Sequence, residues 1–184
     1  MPHGPVAAAQ TAVIVPVGAA ESVVADHRVR LDRSASWGVP AHVTVLFPFV
    51  APADVDDAVV ARLAAVFAVV PPFDCAFTEC CWFGEDVLWL APDRAQEFRD
   101  LTGAVASAFP GSQPYGGEHD DVVPHLTVGE SRLGSIAELR AAEVDIRRKL
   151  PFTAHIDHAL LIAGTDRPDS WRTVARLPLG AAAH

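Results

Sequence analysis

Aliphatic and β-branched runs alternate along the chain with stretches of helical spacing, and Pro, Gly and Asp clusters separate them. Thr11 to Val17 is almost wholly apolar and predicts a buried strand. Ala19 to Ala25 predicts a short helix, and the polar stretch Asp26 to Gly38 a loop. Pro40-Ala41-His42-Val43-Thr44-Val45-Leu46-Phe47-Pro48-Phe49 then predicts a strand that Pro48 and Pro52 end. From Asp54 to Val69, Val55, Val59, Leu63, Val66 and Phe67 recur at helical spacing; Asp54 suits the N-cap, and Asp56 and Asp57 the positive end of the dipole. Phe73 to Phe83 and Val87 to Leu90 predict a hairpin across Gly84-Glu85-Asp86. A second helix is expected from Pro92-Asp93 to Phe109, then a long loop from Pro110 to Pro124. A third helix, Ser135 to Lys149, would bury Ile136, Leu139, Val144 and Ile146. One long strand, Phe152 to Ile162, and a last one, Trp171 to Leu179, flank a turn at Thr165 to Ser170. The termini, 1–10 and 180–184, are expected to be loose.

One short pattern occurs twice. His42-Val43-Thr44-Val45 and His125-Leu126-Thr127-Val128 both read His, aliphatic, Thr, Val, each close behind a proline. Side chains alternate across a strand, so each His shares a face with the Thr two residues on, about 7 Å away along the strand. Val43, Val45, Leu126 and Val128 would face apolar packing. Each motif strand is followed by a helix and then two antiparallel strands. The natural architecture is α+β and bilobal: two pseudo-symmetric antiparallel-rich sheets with flanking helices, and the motif strands facing a cleft between the lobes.

The 184 residues are 51% hydrophobic, enough for a single domain spanning 1–184. A net charge of −9 argues against a long nucleic-acid surface, which would be basic. It leaves room for a small phosphorylated ligand. Cys75, Cys80 and Cys81 are odd in number and confined to one segment, which predicts reduced thiols rather than a disulfide scaffold or zinc site. The apolar stretch from Thr11 to Ala20 has no Lys or Arg before it and is interrupted by Pro16, so it does not read as a signal peptide. No run is long enough to cross a bilayer, and a cytoplasmic protein is expected.

Two histidines facing one cleft form a coherent chemical set. Imidazole titrates near neutrality, so one His can accept a proton while the other donates one. In-line displacement at phosphorus needs that pair, with the nucleophile entering opposite the leaving oxygen. Threonine hydroxyls can donate to the non-bridging oxygens. Nothing here demands a metal, and the sequence offers no convincing carboxylate and His cluster to hold one. No cofactor is expected.

These two motifs, 83 residues apart (42 to 125), and the duplicated layout resemble the 2H phosphoesterase superfamily, and Pro-Ala-His-Val-Thr-Val-Leu-Phe-Pro-Phe is similar to its bacterial 2′-5′ RNA ligase-like branch. The resemblance runs from Thr11 to Leu179. It implies a metal-independent phosphodiesterase site between two lobes, acting on 2′,3′-cyclic phosphates, 2′-5′ linkages or the cyclic phosphate of ADP-ribose, and possible reversal as ligation. It assigns His42 and His125 as catalytic acid and base, without saying which is which, and Thr44 and Thr127 as phosphate-binding. The expected partner is a small nucleotide or an RNA end, met by a monomer, with no membrane. The alternatives are a non-catalytic module gripping a terminal RNA or nucleotide phosphate, and a cyclic phosphodiesterase for an ADP-ribose-type metabolite.

Other residues have ordinary readings beside functional ones. Arg132 is a solvated loop arginine or a phosphate contact. Arg28, Arg30 and Arg33 form a solvated loop or a positive rim for RNA ends. Among Phe47, Phe49, Trp82 and Phe83, Trp82 is the preferred base-stacking residue, and strict alternation puts Phe47 in the core. Tyr115 and His119 lie in the long loop, which could close over substrate. His155 and His158 face opposite ways on one strand and read as structural.

Overall fold

A computed structural model of the chain describes residues 9–112 and 122–180. Eight strands form one antiparallel sheet: β1 (Gln10–Pro16), β2 (His42–Leu46), β3 (Phe73–Phe83), β4 (Val87–Pro92), β5 (Leu126–Glu130), β6 (Phe152–Ile156), β7 (His158–Gly164) and β8 (Arg172–Pro178). Five helices are described: α1 (Glu21–Leu31), α2 (Arg33–Ser36), α3 (Asp57–Ala68), α4 (Ala95–Ala108) and α5 (Ile136–Arg147). The architecture is α+β, as expected. Among the described residues, no helix is long and apolar enough to cross a membrane.

The strand order is β6-β3-β4-β5-β2-β1-β7-β8. The two expected sheets are four-stranded halves of this single sheet, and they meet where β2 pairs with β5 through Val43 and Leu126. The two motif strands are therefore central neighbours. β6 and β7 stand six strand spacings apart in that order, a distance of about 29 Å in a flat sheet. Only Asp157 separates them in the chain. The sheet therefore curls until its β6 edge returns towards β7. Phe152 to Ile162 is thus not one strand: β6 pairs with β3, whereas β7 pairs with β1. The segment is apolar throughout, so its sequence does not mark the crossing.

Helices α1, α3, α4 and α5 cover one sheet face. α1 lies against β5, and α4 against β2, so the helix that follows one half's strand covers the other half. Val43, Val45, Leu126 and Val128 belong to the core they enclose. Helix α1 approaches β5 closely at Gly129, where an added Cβ would stand 2.6 Å from Leu31 Cβ.

Three helix expectations need correction. The stretch 26–38 is not a loop: α1 continues to Leu31, and α2 follows with Asp32 as its N-cap, accepting from the Ser34 N–H. Helix α3 is capped by Asp56, whose carboxylate accepts from the Val59 N–H, because Asp54 already ends a 3-10 turn over Pro52–Asp54. On α5, Ser135 forms a capping box with Glu138. Leu139, Ala142, Glu143 and Ile146 are its buried face, while Ile136 and Val144 are exposed. Glu143 is held there by Arg140 (2.9 Å) and Arg147 (2.7 Å).

Candidate active site

The alternation predicted for the motif strands is present. Val43 and Leu126 are wholly buried, while His42, Thr44, His125 and Thr127 are half-buried on the opposite face. Because Val43 pairs with Leu126, antiparallel register carries His42 across from Thr127 and Thr44 across from His125. The two histidines are diagonal neighbours, their backbones roughly 7–8 Å apart. An atom carrying oxygens on several sides fits between two such imidazoles.

Both strands carry a bulge at the fourth motif residue. Val13 pairs with Leu46 and Ile14 with Thr44, leaving Val45 as the extra residue on β2. Leu88 pairs with Gly129 and Trp89 with Thr127, leaving Val128 as the extra residue on β5. A bulge advances the alternation by one residue. Val45 and Leu46 are consequently both buried, and Phe47 returns to the face of His42 and Thr44 rather than entering the core beneath them. Strict alternation misplaced Phe47 for that reason.

The histidines are held in matching ways. His42 Nδ1 lies 2.7 Å from the Pro40 carbonyl, and His125 Nδ1 lies 2.7 Å from the Val123 carbonyl. A carbonyl only accepts, so each Nδ1 carries the proton and donates it. That tautomer leaves both Nε2 atoms with a lone pair.

The segment before His42 is clamped from several sides. The Val17 N–H donates to the Ala41 carbonyl (2.8 Å), and the Ala41 N–H donates to Glu21 Oε1 (2.8 Å). Arg28 donates through one nitrogen to the Val39 carbonyl (3.1 Å) and through Nε to Asp32 (2.8 Å). Both members of that ion pair are buried. Arg28 is therefore neither a solvated loop residue nor part of a positive rim. Arg30 and Arg33 are exposed and line a separate polar groove with Asp166, and Arg132 is exposed in the turn after β5.

Burial pushes the His42 imidazole down to about 4; the Pro40 hydrogen bond opposes that shift, and the nearby Arg28 charge adds to it. Burial also lowers His125, against its hydrogen bond to Val123. Phe83 and Trp89 supply much of that apolar surround. They stack on each other at 4.7 Å, and both rings stand steeply to the His125 imidazole, with centroids at 5.0 and 5.9 Å.

The remaining candidates lie elsewhere. Phe49 is in the core against Phe109. The face of Trp82 is covered by the Arg140 guanidinium at 4.1 Å, which takes the preferred stacking residue out of the site. His155 lies beside Asp74 (2.6 Å) on β6, and His158 beside Asp157 (2.5 Å) on β7. Cys75 and Cys80 are buried free thiols, and burial raises them to about 12 and about 11. Tyr115 and His119 lie outside the described residues. Sequence reasoning missed Trp37 and Trp171, which line a recess beside His42 together with Phe47. Isolated tryptophans carry no periodic signal.

A family model described as the 2′-5′ RNA ligase superfamily matches residues 15–167. The fold is similar to that of TT0787 of Thermus thermophilus, with a TM-score of 0.65 at 14% identity over 94% of this chain and 99% of that one. It is similar to E. coli LigT in apo form, with a TM-score of 0.60 at 15% identity over 95% and 99%. It is similar to E. coli LigT complexed with 3′-AMP, with a TM-score of 0.56 at 14% identity over 94% and 98%. At these identities the likeness is one of fold. No curated protein matches the chain in sequence.

Proposed function

The chain belongs to the 2′-5′ RNA ligase superfamily, within the 2H phosphoesterases, and from that premise we propose that it is a metal-independent phosphodiesterase for 2′,3′-cyclic phosphate or 2′-5′ phosphodiester bonds of nucleotides or RNA ends. The observation that carries this reading is the matched pair of imidazoles, each with Nδ1 committed to a carbonyl and Nε2 left with its lone pair.

In the hydrolytic direction His42 is the base. Its strongly lowered pKa keeps it unprotonated at neutral pH. Nε2 takes a proton from water as the water oxygen bonds to phosphorus. His125 acts as the acid in its protonated form, which burial makes the minor form at neutral pH and which gains population as pH falls, and it gives its Nε2 proton to the departing ribose oxygen. The Thr44 and Thr127 hydroxyls donate to the non-bridging oxygens, where charge develops. With the 5′-hydroxyl of a second nucleotide in the place of water, the same base, acid and phosphate contacts would join it to the cyclic phosphate as a 2′-5′ linkage, and the reverse of that step cleaves the linkage with the two histidines exchanging roles. E. coli LigT has been crystallised with 3′-AMP, NADP+ and ATP, which favours a nucleotide-sized substrate here too.

The test is turnover of a 2′,3′-cyclic nucleotide in EDTA by the wild type, His42→Ala and His125→Ala, with the product resolved as the 2′- or 3′-phosphate. Hydrolysis by the wild type and loss of about 10²-fold or more in each variant is expected. Activity that survives both substitutions would remove the site assignment. Binding of the nucleotide without turnover at any pH would favour a phosphate-gripping module.

A further inference from the structure

Beside His42 and Thr44 lies an apolar recess of about 160 Å³, walled by Ile14, Trp37, Val39, Phe47, Ile162 and Trp171. Two segments close it. The Trp171 N–H donates to the Trp37 carbonyl (3.0 Å), and the Asp169 N–H donates to the Ser36 carbonyl (3.0 Å). The two indoles stack with centroids 6.3 Å apart and planes 21° from parallel. Trp171 rests on Gly164, where a Cβ would stand 2.5 Å from the indole. The recess is therefore built before any ligand arrives.

Its polar groups are already committed. Trp37 Nε1 donates to the Asp166 carbonyl (3.0 Å) and Trp171 Nε1 to the Thr165 carbonyl (2.8 Å). The Ser34 hydroxyl donates to Asp32 (2.9 Å) and accepts from Arg28 (3.1 Å). Among the described wall residues, only His42 and Thr44 keep uncommitted polar side-chain atoms. Drug-sized ligands fill roughly 300–1,000 Å³. This recess holds a single ring system, and the sugar and phosphate of the same ligand would remain over His42 and Thr44.

We propose that this recess is the nucleobase subsite, taking a planar heteroaromatic ring by stacking and apolar contact without reading its hydrogen-bonding edge, with Trp37 as the principal contact. The proposal rests on the phosphodiesterase reading above and narrows its substrate to molecules with a base next to the cyclic phosphate. A ring held only by its faces is held almost equally well whichever base it is. Specificity then lies in having a base, not in which base. Trp171 is almost wholly buried and serves as backing, whereas Trp37 is half-exposed and available.

The experiment compares kcat/KM for the 2′,3′-cyclic phosphates of adenosine, guanosine, cytidine and uridine with that for 1-O-methylribose 2′,3′-cyclic phosphate. It uses the wild type, Trp37→Ala and Trp37→Phe. The Trp37 carbonyl survives both substitutions, and circular dichroism checks that each variant folds. The four nucleotides should fall within a few-fold of one another, and the base-free compound about 5- to 150-fold below them. Trp37→Ala should raise KM for all four without lowering kcat and leave the base-free compound unchanged, while Trp37→Phe retains most of the preference. Equal turnover of base-free and nucleoside substrates, a tenfold preference for one base, or an equal loss on both compounds in Trp37→Ala would overturn it. Absence of any turnover would instead count against the phosphodiesterase reading. Calorimetric binding of adenosine 2′,3′-cyclic phosphate against the base-free compound then decides the subsite: a preference lost in Trp37→Ala supports it, and equal or no binding overturns it.

Discussion

His42 makes the folded protein sensitive to acid in a way that one substitution isolates. The imidazole protonates near 6.5 in the unfolded chain and only at about 4 in the folded one. Between those values the unfolded state binds more protons, so stability falls as pH falls. Above 6.5 the residue is neutral in both states and contributes no pH dependence. At pH 4.5 the loss relative to pH 7.5 comes to about 2.5 kcal/mol from this residue alone. His42→Gln removes the titration and keeps an amide that can donate to the Pro40 carbonyl. Urea unfolding of both proteins at pH 7.5 and pH 4.5 measures the effect. The wild type should lose about 2.5 kcal/mol more than the variant over that interval. The other titrating groups, His125 included, are common to both and largely cancel. If the two proteins lose stability in parallel, His42 is not held neutral, and the basis for making it the catalytic base fails with it.

The lowered histidines also set the catalytic profile: kcat/KM should be bell-shaped and peak below pH 6.5, and a plateau extending to pH 8 would contradict that. Arg28→Met leaves the buried Asp32 carboxylate without its partner and should cost about 3–5 kcal/mol in urea unfolding. Arg28→Met with Asp32→Asn should recover part of that loss, because no buried charge is then left alone. Gly129→Ala should cost about 1–3 kcal/mol, since the new methyl meets Leu31 Cβ, which is tied to the α1 backbone. Gly134→Ala should cost less by the same assay, because its close neighbours, Leu31 Cδ2 and Glu138 Oε2 (3.2 Å), are the far ends of side chains rather than a Cβ tied to the backbone.

The motif face was legible in the sequence because it depends on nothing beyond the period of a strand. His42, Thr44, His125 and Thr127 share a face wherever those stretches are extended, and both stretches are. Sheet, helix and hairpin identities followed from apolar period and from Pro and Gly breaks, and most element ends fell within a few residues. The errors have physical causes. The 26–38 stretch read as a loop because Arg28 is a charge at a buried helix position and interrupts the apolar period. Its burial is compensated by Asp32, one helical turn on, and by Ser34 and the Val39 carbonyl, which the chain beyond α1 brings to it only on folding. Ile136 and Val144 look like core residues by composition, yet the face of α5 that meets the sheet is the one carrying Glu143.

What the sequence determined by itself is the local part: which residues are extended or helical, and which side chains share a face within one strand. Those follow from backbone geometry and side-chain chemistry over a few neighbouring residues. The tertiary structure alone decided how the halves are joined. Hydrogen-bond register between β2 and β5 sets each histidine across from the other motif's threonine. The bulges at Val45 and Val128 turn Phe47 towards the site and depend on pairing with β1 and β4. Trp37 and Trp171, 134 positions apart (37 to 171), meet only because the segments after α2 and after β7 hydrogen-bond to each other. Register, bulges and long-range ring contacts are properties of pairs of segments, and a pattern read along one segment does not contain them.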